Sequence, residues 1–208
     1  MARNLVASCR ICRREGVKLY LKGIRCHTAK CAVSKRKFPP GMQSWKGTKL
    51  SKYGIQFREK QRVKRFYGVL ERQFRTYFDA AEQKKGNTGE TLLLSLERRL
   101  DNVVYHLAFG LSRKHARQVI HHGHIMVNDR KVDVPSYIVK AGDVIKPVNK
   151  EATINLIKTH VESSKERSRP SWLDLSEDTL EGRVIQLPTR EDVSIETQEQ
   201  LIVEHCSK

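Results

Sequence analysis

The sequence predicts an α+β protein. A cysteine-rich amino-terminal module and a helical domain carry an inserted small α/β module of short helices and a mostly antiparallel sheet. Four cysteines lie within the first 31 residues, apolar residues recur at helical spacing over 58–85 and 91–109, and short β-rich runs with turn residues follow up to residue 145. The expected domains are 1–45, 46–95 together with 161–208, and 96–160.

The cysteines of the amino-terminal module have the spacing C-x2-C-x13-C-x4-C, at Cys9, Cys12, Cys26 and Cys31. Two close pairs joined by a loop supply the four thiolates of a tetrahedral site. A module of this size buries too little apolar area to fold securely alone, so we expect one structural Zn²⁺. An iron–sulfur cluster uses the same four thiolates and stays open as an alternative. Two disulfides fit less well, because we expect no secretory signal and a reducing compartment.

Positive charge is concentrated in the amino-terminal half of the chain. The net charge is +17, of which residues 1–100 carry +18, residues 101–160 carry +4 and residues 161–208 carry −5. This excess predicts a polyanionic partner for the first half and excludes the acidic tail from that surface. No apolar run approaches the ~20 residues needed to span a bilayer. We therefore expect a cytoplasmic protein rather than a membrane protein.

The apolar spacing from Arg58 to about Lys85 predicts one long helix. Between residues 58 and 75 only Glu59 and Glu71 are acidic, although a solvated helix usually alternates signs to gain intrahelical pairs. We therefore expect the polar face to contact phosphates. That face comprises Arg58, Lys60, Gln61, Arg62, Lys64, Arg65, Arg72 and Arg75.

A second helix is expected from about Thr91 to Phe109, ending at Gly110, and the segment 111–132 continues the inserted module. Ser112 suits a helix N-cap, and Asn128-Asp129 suits a tight turn between two strands. Further short strands are expected at 132–135, 137–139 and 143–145. The segment presents a basic, hydrogen-bonding face that fits a folded phosphate backbone: Arg113, Lys114, Arg117, Gln118, His121, His122, His124 and Arg130.

Several longer segments resemble one family. They are YGIQFREKQRVKRFYGVLERQF at 53–74, KGNTGETLL at 85–93, LERRLDNVVYHLAFGLSRKHARQ at 96–118, GHIMVN at 123–128 and EQLIVEHCSK at 199–208. Together they resemble the bacterial small-subunit ribosomal protein S4 family, and its cysteine-containing members are zinc proteins. The part from Leu96 to Val148 resembles the RNA-binding module named after that family.

The resemblance implies a structural protein of the small ribosomal subunit, a primary binder of 16S rRNA early in assembly. It also implies a contact with ribosomal protein S5, other small-subunit proteins as neighbours, a place near the mRNA entry channel, and a role in translational accuracy. The rest of the expected RNA-binding set lies in the basic amino-terminal module, the basic loop that follows it and the inserted module: Arg3, Arg10, Arg13, Arg14, Lys46, Lys49, Lys52, Tyr53, Arg98, Arg99, Asn102, Ser112 and Asn128.

The rival function is an RNA-modifying enzyme that uses the same module. Such an enzyme needs a catalytic domain, and residues 149–208 are too short and too acidic to supply one. No nucleophile–base pair is visible, so we expect no catalytic residue. A DNA-binding zinc protein fits less well, because no helix is expected close after the second cysteine pair.

Overall fold

The computed structural model describes residues 6–42, 49–164 and 167–207. The chain divides into two compact units, of which one contains residues 1–92 and 195–208 and the other residues 93–194. Helices build the first unit, and helices with a five-stranded sheet build the second. The predicted α+β class is confirmed. Within the described residues, no helix combines the length and the apolar character that crossing a membrane requires.

The first unit is helical and is closed by the carboxy-terminal helix. Its core contains Val63, Phe66, Phe74, Phe78 and Ala81, all buried. Its elements in the described residues are α1 (Ser8–Glu15), a 3-10 turn (Gly23–Cys26), α2 (Ala32–Lys35), α3 (Lys52–Phe66), α4 (Glu71–Glu82), the first half of α5 (Thr88–Glu97) and α9 (Glu199–Cys206).

The predicted helix from 58 to 85 is two helices, because the chain turns sharply at Gly68. Gly68 has a φ of +66°, a left-handed conformation that glycine adopts without strain. Its amide donates to the Arg65 carbonyl, and the Val69 amide donates to that of Lys64, which closes the end of α3. The buried Val69 then begins the link to α4.

The predicted helix from 91 to 109 is also interrupted, at Arg98 and Arg99. Arg99 is extended, with φ −67° and ψ 136°, and forms an isolated bridge with Ile138. The chain resumes as α6 (Leu100–His106). The break puts the Arg99 side chain into the interior, where it is 1% exposed.

The second unit contains α6, α7 (Arg113–His121), α8 (Glu151–Glu162) and one sheet. Neighbouring strands are antiparallel in the order β2-β1-β3-β5-β4. Asn128 and Asp129, with φ of 49° and 64°, make the predicted turn. The expected strands at 132–135 and 137–139 do not form. The strands are β1 (Ile125–Val127), β2 (Arg130–Lys131), β3 (Val144–Pro147), β4 (Leu173–Ser176) and β5 (Glu181–Val184).

The segment 161–194 lies in the second unit, whereas the sequence suggested that it belongs to the helical domain. β5 pairs with β3 through Val144 and Arg183, which extends the sheet by two strands. Trp172 and Leu175 are buried in the same core as α6 and α7. Two four-residue strands joined by a short turn gave no periodicity long enough to predict them.

Candidate nucleic-acid interface

Helix α7 is held by an N-cap and by a close backbone contact at its start. The Ser112 hydroxyl accepts a hydrogen bond from the His115 amide at 3.3 Å, as predicted for an N-cap. A Cβ on Gly110 would lie 2.7 Å from Ala116 Cα, so only glycine lets the preceding turn pack this closely on α7. The position of α7 therefore depends on a residue without a side chain.

Asp101, in α6, ties two arginines together in the interior. Its carboxylate accepts from Arg99 Nε at 3.0 Å and Nη2 at 2.8 Å, and from Arg117 Nε at 3.1 Å. The Asp101 side chain is 4% exposed and that of Arg117 is 22% exposed. A buried charge must be paired, so these arginines compensate Asp101 and fix α7 on α6.

A second buried network fixes the first turn of α7. Arg113 Nε donates to Asn102 Oδ1 at 2.8 Å, and Asn102 Nδ2 donates to the Glu97 carbonyl at 3.1 Å and to the Glu97 carboxylate. His106 Nε2 lies 3.5 Å from that carboxylate. All four side chains are buried. This network therefore fixes the orientation of the Arg113 side chain.

Arg167 is a functional candidate that the sequence did not reveal. Its guanidinium donates to the carbonyls of Tyr105 at 2.8 Å, Gly110 at 3.2 Å and Leu111 at 3.1 Å. It lies 4.2 Å from the centre of the Tyr105 ring, and the Arg113 guanidinium lies 4.4 Å from the same centre. Burial lowers the pKa of Arg167. An arginine in the acidic tail thus fastens the turn into α7, and nothing in its local sequence indicates this.

The surface beyond these networks presents hydrogen-bonding groups at the α7 and β1–β2 end of the unit. Lys114, Gln118, His121, His122 and Arg130 are exposed. These five predicted contacts lie at the surface of α7, of its carboxy-terminal end and of the β1–β2 hairpin.

Two other predicted contacts in this region are engaged within the unit. His124 Nδ1 lies 3.2 Å from Thr153 Oγ1, and burial, helped by His122 and two lysines, lowers the His124 pKa. The Asn128 amide donates to Asp143 at 2.8 Å and accepts from the Val144 amide at 2.9 Å.

The five cations of α3 from Arg58 to Arg65 pair with carboxylates from three elements. Glu15 of α1 pairs with Arg58 at 3.3 Å and with Arg65. Glu59 pairs with Arg62 at 2.8 Å, and Glu71 of α4 pairs at 2.7 Å with both neighbouring lysines, Lys60 and Lys64. The lopsided charge of the helix is therefore reduced by Glu15 and Glu71 as well as by Glu59, although three carboxylates face five cations.

The two bridging carboxylates differ in their electrostatics. Burial raises the pKa of Glu15 and outweighs Arg65 and Arg58, which lower it. Partial burial also acts to raise the pKa of Glu71, but hydrogen bonds from Lys60 and Lys64 outweigh it and lower the pKa to about 2. Glu71 is consequently ionised at any physiological pH and holds both lysines.

Six predicted contacts are buried, and direct RNA contact does not fit their positions. A donor enclosed by protein cannot reach a phosphate, so we interpret these residues as support for the surface rather than as part of it. They are Lys60, Gln61, Arg99, Asn102, Ser112 and Arg113.

The remaining predicted contacts belong to several different elements, and some of them are hydrogen-bonded to backbone carbonyls. Arg98 Nε donates to the Val139 carbonyl at 3.1 Å, and Arg14 Nη2 donates to that of Pro40 at 3.3 Å. Arg13 donates to the carbonyls of Phe38 and Pro39. Exposed positions are held by Arg10, Lys49, Lys52, Tyr53, Arg72 and Arg75. Arg3 and Lys46 lie outside the described residues.

The four predicted metal ligands line one pocket between α1, the 3-10 turn and α2. None of them is in a disulfide. Burial raises the pKa of Cys12 and of Cys26. The pKa of Cys31 is lowered, because hydrogen bonds from Ser34 and Val33 outweigh its burial. Among the described residues, no three His, Cys, Asp or Glu side chains are close enough together to count as a metal site. The four thiols share one pocket without forming such a group, so their ligation of a metal stays a prediction.

Comparison with known proteins covers the whole chain. Residues 3–97 match the family model for the ribosomal protein S4/S9 N-terminal domain, and residues 98–145 match that for the S4 domain. The chain is similar to small ribosomal subunit protein uS4A of Alkaliphilus oremlandii, with 55% identity, over 100% of both chains. It is 53% identical to uS4 of Thermoanaerobacter sp. strain X514 and 50% identical to uS4 of Thermodesulfovibrio yellowstonii, again over 100% of both chains.

Proposed function

Because the chain belongs to the uS4 family of small ribosomal subunit proteins, it is a structural protein and not an enzyme, and we propose that its exposed α7 and hairpin face binds 16S rRNA. Membership of this family of structural proteins also excludes the rival function, an RNA-modifying enzyme. What needs explaining is therefore which groups of this chain meet the rRNA.

The observation that carries the proposal is that the residues holding α7 in place are different from the residues exposed on α7 and the hairpin. Partners in α6 and the Arg167 guanidinium hold the helix and the turn before it in place. Lys114 and Gln118 are exposed on α7 itself, and Arg130 is exposed on the hairpin. Donors on a rigid element lose little conformational freedom when they bind, so their hydrogen bonds to phosphate and 2′-hydroxyl groups retain more of their energy. Such a face suits a folded RNA whose backbone has one shape.

The test is binding of 16S rRNA to the full chain as a function of salt. The variant Lys114→Gln/Arg130→Gln removes two exposed cations and should lower the magnitude of the slope of log Kd against log salt by roughly 1.5. The matched control Lys140→Gln/Lys158→Gln removes the same charge from exposed positions outside the predicted set. Equal slopes for the two variants would contradict the proposal.

We propose further that Cys9, Cys12, Cys26 and Cys31 hold one structural Zn²⁺, with an iron–sulfur cluster as the alternative. The convergence of the four thiols on one pocket supports this, as do the neighbouring cations, which would favour thiolates. A closed set of four thiolates would stabilise the small module and leave no position for a substrate.

Elemental analysis of the purified chain tests the metal proposal. One zinc per chain with no visible absorption supports zinc, and iron with sulfide and visible absorption supports the cluster. Cys12→Ser should lose the metal, whereas Cys206→Ser, outside the pocket, should keep it. A purified chain without either metal would contradict both forms.

The finer assignments of the family are also proposals for this chain. We infer an early, primary role in assembly of the small subunit, a contact with ribosomal protein S5, a position near mRNA at its entry channel, and an influence on translational accuracy. Full-length similarity to uS4 proteins supports them. Reconstitution of small subunits with and without this chain tests the first, since later proteins should fail to join when it is omitted.

A further inference from the structure

An open groove on the amino-terminal module is lined by six cations. They come from α1, the 3-10 turn, α2 and the residues beside them, and Cys9 and Ala32 complete the lining. Among the described residues, no acidic side chain lines the groove. The six are Arg10, Arg13, Arg25, Lys30, Lys35 and Arg36.

No carboxylate in residues 6–42, 49–164 or 167–207 pairs with a cation of this groove. Arg13 donates to the Phe38 and Pro39 carbonyls, which fixes one wall without cancelling its charge. The side chains of the other five form no ion pair or hydrogen bond with any described residue. All five are exposed. Six like charges around one concavity attract anions more strongly than the same charges dispersed.

Helix α3 provides the contrast within the same unit. Each of its cations from Arg58 to Arg65 pairs with a carboxylate of the protein. A phosphate that binds there must displace that carboxylate, so the net gain is small. A cation of the groove only exchanges solvent and small anions, and each phosphate contact releases bound counterions from the RNA.

We propose that this groove, rather than the α3 face, is the principal phosphate-binding surface of the first unit, and that it takes a run of RNA backbone phosphates. The inference rests on the proposed binding of 16S rRNA and deepens it by naming the cations that meet the backbone. The arginines suit bidentate contact with phosphate oxygens and the lysines act as point charges. The groove contributes affinity rather than sequence selectivity, since backbone contacts carry no base information.

The experiment measures the salt dependence of 16S rRNA binding for three forms of the full chain. One is unchanged, one carries Arg10→Gln, Lys35→Gln and Arg36→Gln in the groove, and the control carries Lys84→Gln, Lys140→Gln and Lys158→Gln. Both variants lose three exposed positive charges. The groove variant should lower the magnitude of the slope by about 2, at roughly 0.7 per contact, and the control by less than half of that.

The outcomes separate the groove from the function on which it rests. A steep slope for the unchanged chain that persists in the groove variant would overturn the groove and leave rRNA binding intact. Equal losses in both variants would also overturn it, because net charge alone would explain them. No binding, or a shallow slope, for the unchanged chain would contradict rRNA binding itself. Circular dichroism and thermal melting of each variant confirm that the exposed substitutions leave the fold unchanged.

Discussion

Helices α3 and α7 are both rich in cations, yet the protein uses those cations differently. On α3 the cations from Arg58 to Arg65 are partly buried and pair with carboxylates of α1, α3 and α4. On α7 the arginines point inward to Asp101 and Asn102, and other residues of the helix are exposed. A count of charges therefore overstates the donors available on both helices, because the cations of α3 from Arg58 to Arg65 are paired and two of the three cations of α7 point inward.

The largest effect should come from removing the carboxylate that anchors α7. Asp101→Ala leaves Arg99 buried without its charge partner, which should lower the free energy of unfolding by about 3–5 kcal/mol. Urea unfolding followed by the fluorescence of the buried Trp172 measures this. The control Asp129→Asn removes the charge of a 78% exposed carboxylate paired with Lys146, keeps a side chain that tolerates the left-handed turn, and should cost less than about 1 kcal/mol. A small cost for Asp101→Ala would mean that α7 is held by other contacts.

The close packing at the start of α7 should be the next most sensitive feature. Gly110→Ala forces a Cβ to 2.7 Å from backbone atoms of Ala116, and overpacking of this kind costs about 1–3 kcal/mol. Gly54→Ala in α3 places its Cβ at an ordinary 3.4 Å from Leu50, so we expect unchanged or slightly higher stability. Thermal unfolding of both variants compares the two helices directly. Equal losses would show that α7 is no more tightly packed than α3.

The salt dependence of RNA binding should also distinguish the two helices, with a smaller effect than the two stability measurements. Lys114→Gln on α7 should lower the magnitude of the salt slope by roughly 0.7–0.9, the value for one phosphate contact. Lys64→Gln on α3 should lower it by clearly less, because Glu71 already neutralises Lys64 at 2.7 Å. Filter binding with 16S rRNA at several salt concentrations measures both. A larger effect for Lys64→Gln would reverse the comparison.

The smallest effect should be the pH dependence from Glu71. Its pKa in the folded protein is about 2, below the ordinary 4.5, so its stabilising contribution is present above pH 4.5 and is lost as pH falls toward 2. Because the side chain is 45% exposed, we expect Glu71→Gln to cost less than about 1 kcal/mol at pH 7. The cost should shrink at pH 3, and Glu82→Gln should show neither effect. Chemical unfolding at the two pH values measures this, and a cost that grows on acidification would contradict the assigned pairing.

Local patterns predicted the parts of the fold that local interactions decide. Ser112 caps α7, and Asn128 with Asp129 makes the left-handed turn, because both depend on residues close in sequence. The breaks at Gly68 and Arg99 were missed, since apolar spacing continues across each of them. Strands β4 and β5 were missed for another reason. Each has only four residues, and β5 pairs with a strand far away in sequence, as in the pairing of Val144 with Arg183, while β4 pairs with β5.

The candidate site was predictable by region and not by residue. The segment 111–132 contains the exposed donors, as the basic pattern indicated. Arg99, Asn102 and Arg113 are nevertheless buried, and Arg167 fastens the same helix from a distance of more than 50 residues in sequence. No local pattern distinguishes an arginine that meets solvent from one that meets a buried carbonyl.

By itself the sequence determined the α+β class, the polyanionic partner, the gathering of four cysteines in one module and the resemblance that the relatives confirm. These depend on composition, spacing and local pattern, which the chain carries whatever its fold. Only the tertiary structure decided which cations are available. Charge pairing occurs through space, so Glu15 can pair with Arg58 and Arg65 from a different helix, while no carboxylate of the described residues pairs with the cations of the amino-terminal groove.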